Sequence, residues 1–95
     1  MLHAIATIHI KPEHIAAASV AMCTLAGKSL KEHGCKRYAV FQRQGEPVLV
    51  TQETWVDAAA EAAHMAGPHV AAAFAAIGAL LSAPPEVHRY TQLTA

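Results

Sequence analysis

His64 and His69 flank Gly67-Pro68 near the end of the stretch ETWVDAAAEAAHMAGPH (residues 53–69), and Trp55 stands near its start. Histidine titrates near neutral pH, so imidazoles gathered at one place can hold or move a proton. Asp57 follows Trp55 closely, where a helix N-cap belongs, with a carboxylate able to accept the first free backbone N–H groups. Pro68 lacks the N–H that a continuing helix needs, so the helix breaks or kinks there. An indole and two imidazoles therefore gather at a strand–helix junction. The spacing of the histidines is neither i,i+3 nor i,i+4, so they need not share a helical face. Both rings are also compatible with capping helix ends or lying half-exposed. Chemistry requires that one of them reach a pocket under the helices and act as base, donor or both.

Other candidates surround this pair. Trp55 shares a strand face with Glu53 and Thr51, and serves either core packing or the wall of a flat aromatic site. A carboxylate one pleat from Trp55 on a central strand is rarely left buried and unpaired, so Glu53 invites an ion pair with Arg37 on the neighbouring strand. Tyr38 and Phe41 lie on opposite faces of one strand, so at most one of them lines a given pocket; Tyr90 has an equal claim. His3, His9, His14, His33 and His88 are scattered without H-x3-H, C-x2-C or H-E-x-x-H spacing. The only close donor pair, His33-x-Cys35, spans a helix end, and no metal site is expected. With no G-x-S-x-G, P-loop or G-x-G-x-x-G, the esterase, nucleotide and dinucleotide readings have no support.

The elements that must position these residues follow from periodicity. Leu2, Ala4, Ala6, Ile8 and Ile10 alternate with His3, Ile5, Thr7 and His9, a strand with two unlike faces. Lys11-Pro12-Glu13 opens a helix, with Ile15, Ala18, Met22, Leu25 and Ala26 as its buried stripe and Gly34 as its C′ residue. Residues 35–43 and 47–56 read as strands joined by the short loop Gln44-Gly45-Glu46. A short helix runs from Asp57 to Ala66. Pro68 starts another, whose Val70, Phe74, Ile77 and Leu81 form an inward stripe and which Ala83-Pro84-Pro85 stops. Val87 to Thr94 reads as a last strand.

The order β-α-β-β-α-β is the ferredoxin-like α+β pattern. Both helical connections return to one face of a four-stranded antiparallel sheet. The other face would show Tyr38, Val40, Val48 and Val50, or their alternates, to water. A contiguous apolar patch of that size is seldom tolerated on a monomer, so a homodimer through the open sheet face is expected.

Composition agrees. The 95 residues make a single domain, residues 1–95, of which 54% are hydrophobic, above the ~45–50% usual for soluble domains. The excess is largely alanine, and a small monomer has little room to hide it. Seven Lys/Arg balance seven Asp/Glu and no basic block occurs, so nucleic acid is not an expected partner. The start has no basic n-region and no small-residue cleavage site after an apolar run, so no signal peptide is expected. The apolar window from Val70 to Ala83 is shorter than the ~20 residues of a membrane span, so no membrane association is expected. Cys23 and Cys35 have no paired spacing and read as free thiols in a reducing compartment, the cytoplasm.

The chain resembles the antibiotic biosynthesis monooxygenase domains, including the small quinol monooxygenases. The resemblance rests on Lys11-Pro12 at the first helix, Lys31-Glu32-His33-Gly34-Cys35 leading into Tyr38, and Glu53-x-Trp55-x-Asp57. It continues through Ala63-His64 and Pro68-His69 to Phe74 and a last strand ending in Tyr90. The resemblance implies a dimeric α+β barrel that oxygenates phenolic, quinol or anthrone-like substrates with O2 and no cofactor. It further implies His64 or His69 as proton acceptor or donor, Trp55 and Phe74 holding the ring, and Tyr38 hydrogen-bonding an oxygen. Relatives that degrade haem pair an asparagine on the first strand with a tryptophan and a histidine on the second helical segment. Here the first strand has no asparagine, and the other two places fall near His64 and Phe74, so haem degradation is not expected.

Two further readings compete with the enzyme. One is a non-catalytic dimeric module that binds small aromatics reversibly. The other is a structural, stress-related dimer whose pocket is filled by side chains.

Overall fold

The computed structural model describes all 95 residues. The chain runs β1 (Leu2–His9), α1 (Ile15–Ser29), β2 (Cys35–Gln42), β3 (Val48–Trp55), α2 (Ala58–Met65), α3 (Pro68–Ile77) and β4 (Glu86–Tyr90). The strands form one sheet in the order β2-β3-β1-β4, every neighbouring pair antiparallel. This is the ferredoxin-like α+β arrangement that the element order requires. No single helix is long and apolar enough to cross a membrane.

Local chemistry explains the boundaries. A single 3-10 turn, Pro12–His14, leads into α1, with proline where a missing N–H costs nothing. Asp57 caps α2, its Oδ1 accepting from the Ala60 N–H at 2.8 Å. Gly67 is extended and Pro68 restarts the chain as α3.

α1 stops at Ser29, short of the expected Gly34, because its end tightens into i→i+3 bonds. Lys31 N–H donates to Lys28 O at 3.1 Å and Glu32 N–H to Ser29 O at 3.0 Å. Gly34 then turns the chain into β2 with φ +79°. An added Cβ there would lie 2.6 Å from Val56 Cγ1 and 2.7 Å from Ala60 Cβ. Left-handed backbone and crowding act together, so Gly34→Ala is expected to destabilise the fold by about 2 kcal/mol or more. Urea unfolding checks this, and an unchanged midpoint would count against it.

One face of the sheet packs on the helices. Ala4, Ala6 and Ile8 of β1, Tyr38 of β2, and Leu49, Thr51 and Trp55 of β3 are buried there. α1 contributes Ala18, Met22, Leu25 and Ser29; α3 contributes Val70, Ala73 and Ile77. The expected stripe on α3 is corrected in two places. Phe74 lies outside it, 43% exposed, and Ala73 takes the inward position. Leu81 is not helical at all, because α3 gives way to a 3-10 turn at Gly78–Leu80 and Leu81 bridges to Ile10. β4 ends at Tyr90, four residues before the expected Thr94, because Tyr90 already pairs with His3 near the start of β1.

The outer face also differs from expectation. Tyr38 and Val40 face the helices, and their alternates Ala39 and Phe41 face outward. Val50 lies beside Phe41 and Ile5 beside His88. The apolar ground (Ile5, Ala39, Phe41, Val50) is therefore interleaved with His3, Gln52, Thr54 and His88.

Candidate functional site

The alanines of the inner face have a consequence. Ala6 and Ala73 are too short to fill the space between sheet and helices, and a cavity of about 50 Å3 remains there. Met22, Leu25, Val70, Ile77 and Val87 make most of its wall apolar, while Tyr38, Thr51, Glu53 and His64 bring the polar groups. Met65 and Phe74, 41% and 43% exposed, stand at its mouth.

His64 enters this space because the last turn of α2 buries the face that carries Ala60, Glu61 and His64. Its ring is held on three sides. The Trp55 ring lies 4.6 Å away between centroids and the Tyr38 ring 5.6 Å away. The ring Nδ1 lies 2.7 Å from Glu32 Oε1. Glu32 Oε1 accepts this bond, so Nδ1 carries the proton and, in the neutral ring, Nε2 keeps its lone pair.

His69 occupies a different place. It lies in the first turn of α3, its side chain 34% exposed, with Nδ1 2.5 Å from the other oxygen of Glu32. It does not line the apolar cavity. It borders an outer hollow of about 430 Å3 together with Glu32, His33, Asp57 and one edge of His64. One carboxylate thus bridges two imidazoles from two helices. Glu32 did not stand out as a functional residue in the sequence, although it lies within the segment that carries the family resemblance. Its distance along the chain from both histidines hides the contact, which exists only because the turn after α1 abuts the α2–α3 junction.

Glu53 and Trp55 form a second buried unit. Thr51 Oγ1–H donates to Glu53 Oε2 at 2.7 Å, and the Trp55 indole N–H donates to Oε1 at 3.1 Å. Thr51 Oγ1 in turn accepts the Ala6 N–H at 3.2 Å. The ion pair expected between Glu53 and Arg37 does not form. A register shift between Cys35 and Arg37 puts Arg37 opposite Thr54, and its guanidinium reaches Gln52 Oε1 on the outer face at 3.5 Å. Trp55 is fully buried and absent from the cavity wall. It backs His64 rather than facing the hollow. A second buried carboxyl, Glu61, also passed unnoticed in the sequence; it accepts from Arg89 Nε at 2.8 Å and ties α2 to β4.

Burial, and then the negative charge of Glu53, pushes the Tyr38 phenol well above its ordinary range. Tyr38 thus stays a hydrogen-bond donor inside the cavity. Above a pH of about 10 the unfolded phenol releases its proton while the native one keeps it, so the unfolded state binds fewer protons and stability falls as pH rises. Tyr38→Phe is expected to lose this part of the alkaline destabilisation. Urea midpoints at pH 8 and about pH 11 check it, and an equal drop in both proteins would contradict it. The Cys35 thiol is also pushed up, by burial first and then by Glu32 and Glu53, the opposite of an activated nucleophile. No group of three or more His, Cys, Asp or Glu side chains converges as metal ligands would.

The sequence profile of the antibiotic biosynthesis monooxygenases matches residues 1–76, a span that includes Glu32, Tyr38, Glu53, Trp55, His64, His69 and Phe74. A solved antibiotic biosynthesis monooxygenase is 30% identical, with 99% of this chain and 100% of that one covered and a TM-score of 0.92. A candidate antibiotic biosynthesis monooxygenase from Deinococcus radiodurans is 25% identical over 100% of this chain and 95% of its own, TM-score 0.89. A Nitrosomonas europaea protein, 21% identical over 99% and 100% of the two chains with a TM-score of 0.92, shares the fold. Comparison with curated protein sequences gives no match.

Proposed function

The chain belongs to the antibiotic biosynthesis monooxygenase family, and we propose that it oxygenates a small quinol, phenol or anthrone with O2 and no bound cofactor, His64 serving as base. The observation that carries this reading is the imidazole of His64, buried in an apolar cavity with Nδ1 committed to Glu32. Its Nε2 is the nitrogen left to take a proton, and Glu32 stabilises the imidazolium that results. This is the logic by which a carboxylate orients an imidazole base.

The chemistry is economical. An electron-rich aromatic, once deprotonated, can itself reduce O2, and the protein supplies the base, the dry surroundings and the placement. For an anthrone, the ring CH2 becomes C=O. One oxygen atom joins that carbon, and the other leaves as water with both hydrogens. Tyr38, held protonated, donates to the substrate oxygen. Phe74 and Met65 hold the ring at the mouth, Glu53 presents its carboxyl edge, and Trp55 keeps His64 in place.

The space is tight for this role. A cavity of roughly 150 Å3 is what admits benzene, so a bicyclic substrate enters as Met65 and Phe74 swing outward. Both are exposed enough to do so. The same reading includes a homodimer in the cytoplasm, two sheets packing through Ile5, Ala39, Phe41 and Val50, with Tyr90 at the corner.

Oxygen uptake in the presence of naphthalene-1,4-diol or anthrone tests the proposal. Turnover well above uncatalysed autoxidation is expected. Saturable binding without uptake would leave a reversible aromatic-binding module instead.

A further inference from the structure

We infer that Glu32 and His69 form a proton relay that joins the buried His64 to solvent in the outer hollow. The inference rests on the reading of His64 as the base. At 3% exposure, with Trp55 and Tyr38 against its ring, His64 has almost no contact with water of its own. Its Nδ1 meets Glu32 Oε1 at 2.7 Å, and Glu32 Oε2 meets His69 Nδ1 at 2.5 Å. The His69 ring is open to the hollow of about 430 Å3, which has room for water.

The path balances as a sequence of proton transfers. When Nε2 of His64 takes the substrate proton, Nδ1 passes its own proton to Glu32 Oε1. In the resting state one proton lies on Glu32 Oε2, shared with His69 Nδ1; as Oε1 gains its proton, Oε2 passes that one to His69 Nδ1, and His69 Nε2–H releases its own to water. Entry and exit use different oxygens, so the carboxyl group need not rotate. Return runs the other way: reduced dioxygen takes the Nε2 proton, and a proton from solvent refills Nδ1. Orienting His64 requires one hydrogen bond, donated by its Nδ1–H to Glu32. The second imidazole, on another helix and facing water, adds nothing to that orientation, but it is the acceptor a relay needs. Tyr38, Cys35 and Glu53 face the chain from β2 and β3, while His33 and Asp57 face it in the outer hollow.

Exchange of the His64 ring proton with water, followed by NMR in the substrate-free protein, tests this directly. Glu32→Gln retains donor and acceptor atoms but cannot carry a proton, so exchange is expected to slow by about tenfold or more. His69→Ala slows it similarly, and free imidazole, seated in the space the ring vacates, restores it. Exchange unchanged in both variants overturns the relay. So does slowing in His69→Ala that imidazole fails to reverse, which reduces His69 to a clamp. If Glu32→Gln does not fold, His69→Ala with imidazole decides alone. Because exchange needs no substrate, the absence of turnover with naphthalene-1,4-diol sinks the oxygenase reading separately.

Discussion

His64→Ala is expected to lower oxygen uptake with naphthalene-1,4-diol by about a hundredfold or more, the usual contribution of a positioned general base. The loss falls on kcat, because the methyl group that remains still leaves the aromatic walls of the cavity in place and KM changes little. His69→Ala retains the base and loses only its link to water, so its defect is smaller and is relieved by added imidazole. Glu53, with both oxygens already accepting from Thr51 and Trp55, is not positioned to replace His64. Steady-state kinetics of the two histidine variants, with far-UV circular dichroism as a control for folding, separates these roles. Equal rates for wild type and His64→Ala would remove His64 from the chemistry.

Trp55→Ala carries the largest expected effect on stability, about 3–5 kcal/mol. The indole is fully buried, so its loss opens a large cavity. It also strips Glu53 of its N–H donor and His64 of the ring behind it. Trp55→Phe isolates the second part, because it retains most of the volume but leaves Glu53 Oε1 buried without that partner. A cost of about 1–3 kcal/mol is expected from the lost donor. Urea titration distinguishes the pair, and a phenylalanine variant as stable as wild type would show that the Trp55–Glu53 bond contributes nothing net. Since a small domain has only several kcal/mol of stability in all, the alanine variant is expected to be largely unfolded at 37 °C.

Periodicity treats Trp55 and Phe74 very differently. Trp55 could be placed on the inner face from its alternation with Glu53 and Thr51, and the burial of all three agrees. Phe74 could not be placed so well. An apolar residue at i+4 from Val70 satisfies the same helical template as Ala73 at i+3, and only the direction from which the sheet meets α3 selects between them. The Glu53–Arg37 pairing failed for a related reason. A single irregularity at Cys35 moves the residues after it to the other face, and no residue type there announces a bulge.

Several properties were written in the chain itself: four strands and three helical segments in their order, the break at Gly67-Pro68, the cap at Asp57 and the turn at Gly34. Each depends on neighbours a few positions away, where proline, glycine and capping side chains act. The division of labour between His64 and His69 was decided only in three dimensions. One ring went to the cavity and the other to its rim, because Glu32 arrived from the end of a distant helix and its carboxylate has two oxygens to offer. Contacts that close long loops leave no periodic trace in the sequence, since packing rather than spacing brings their partners together.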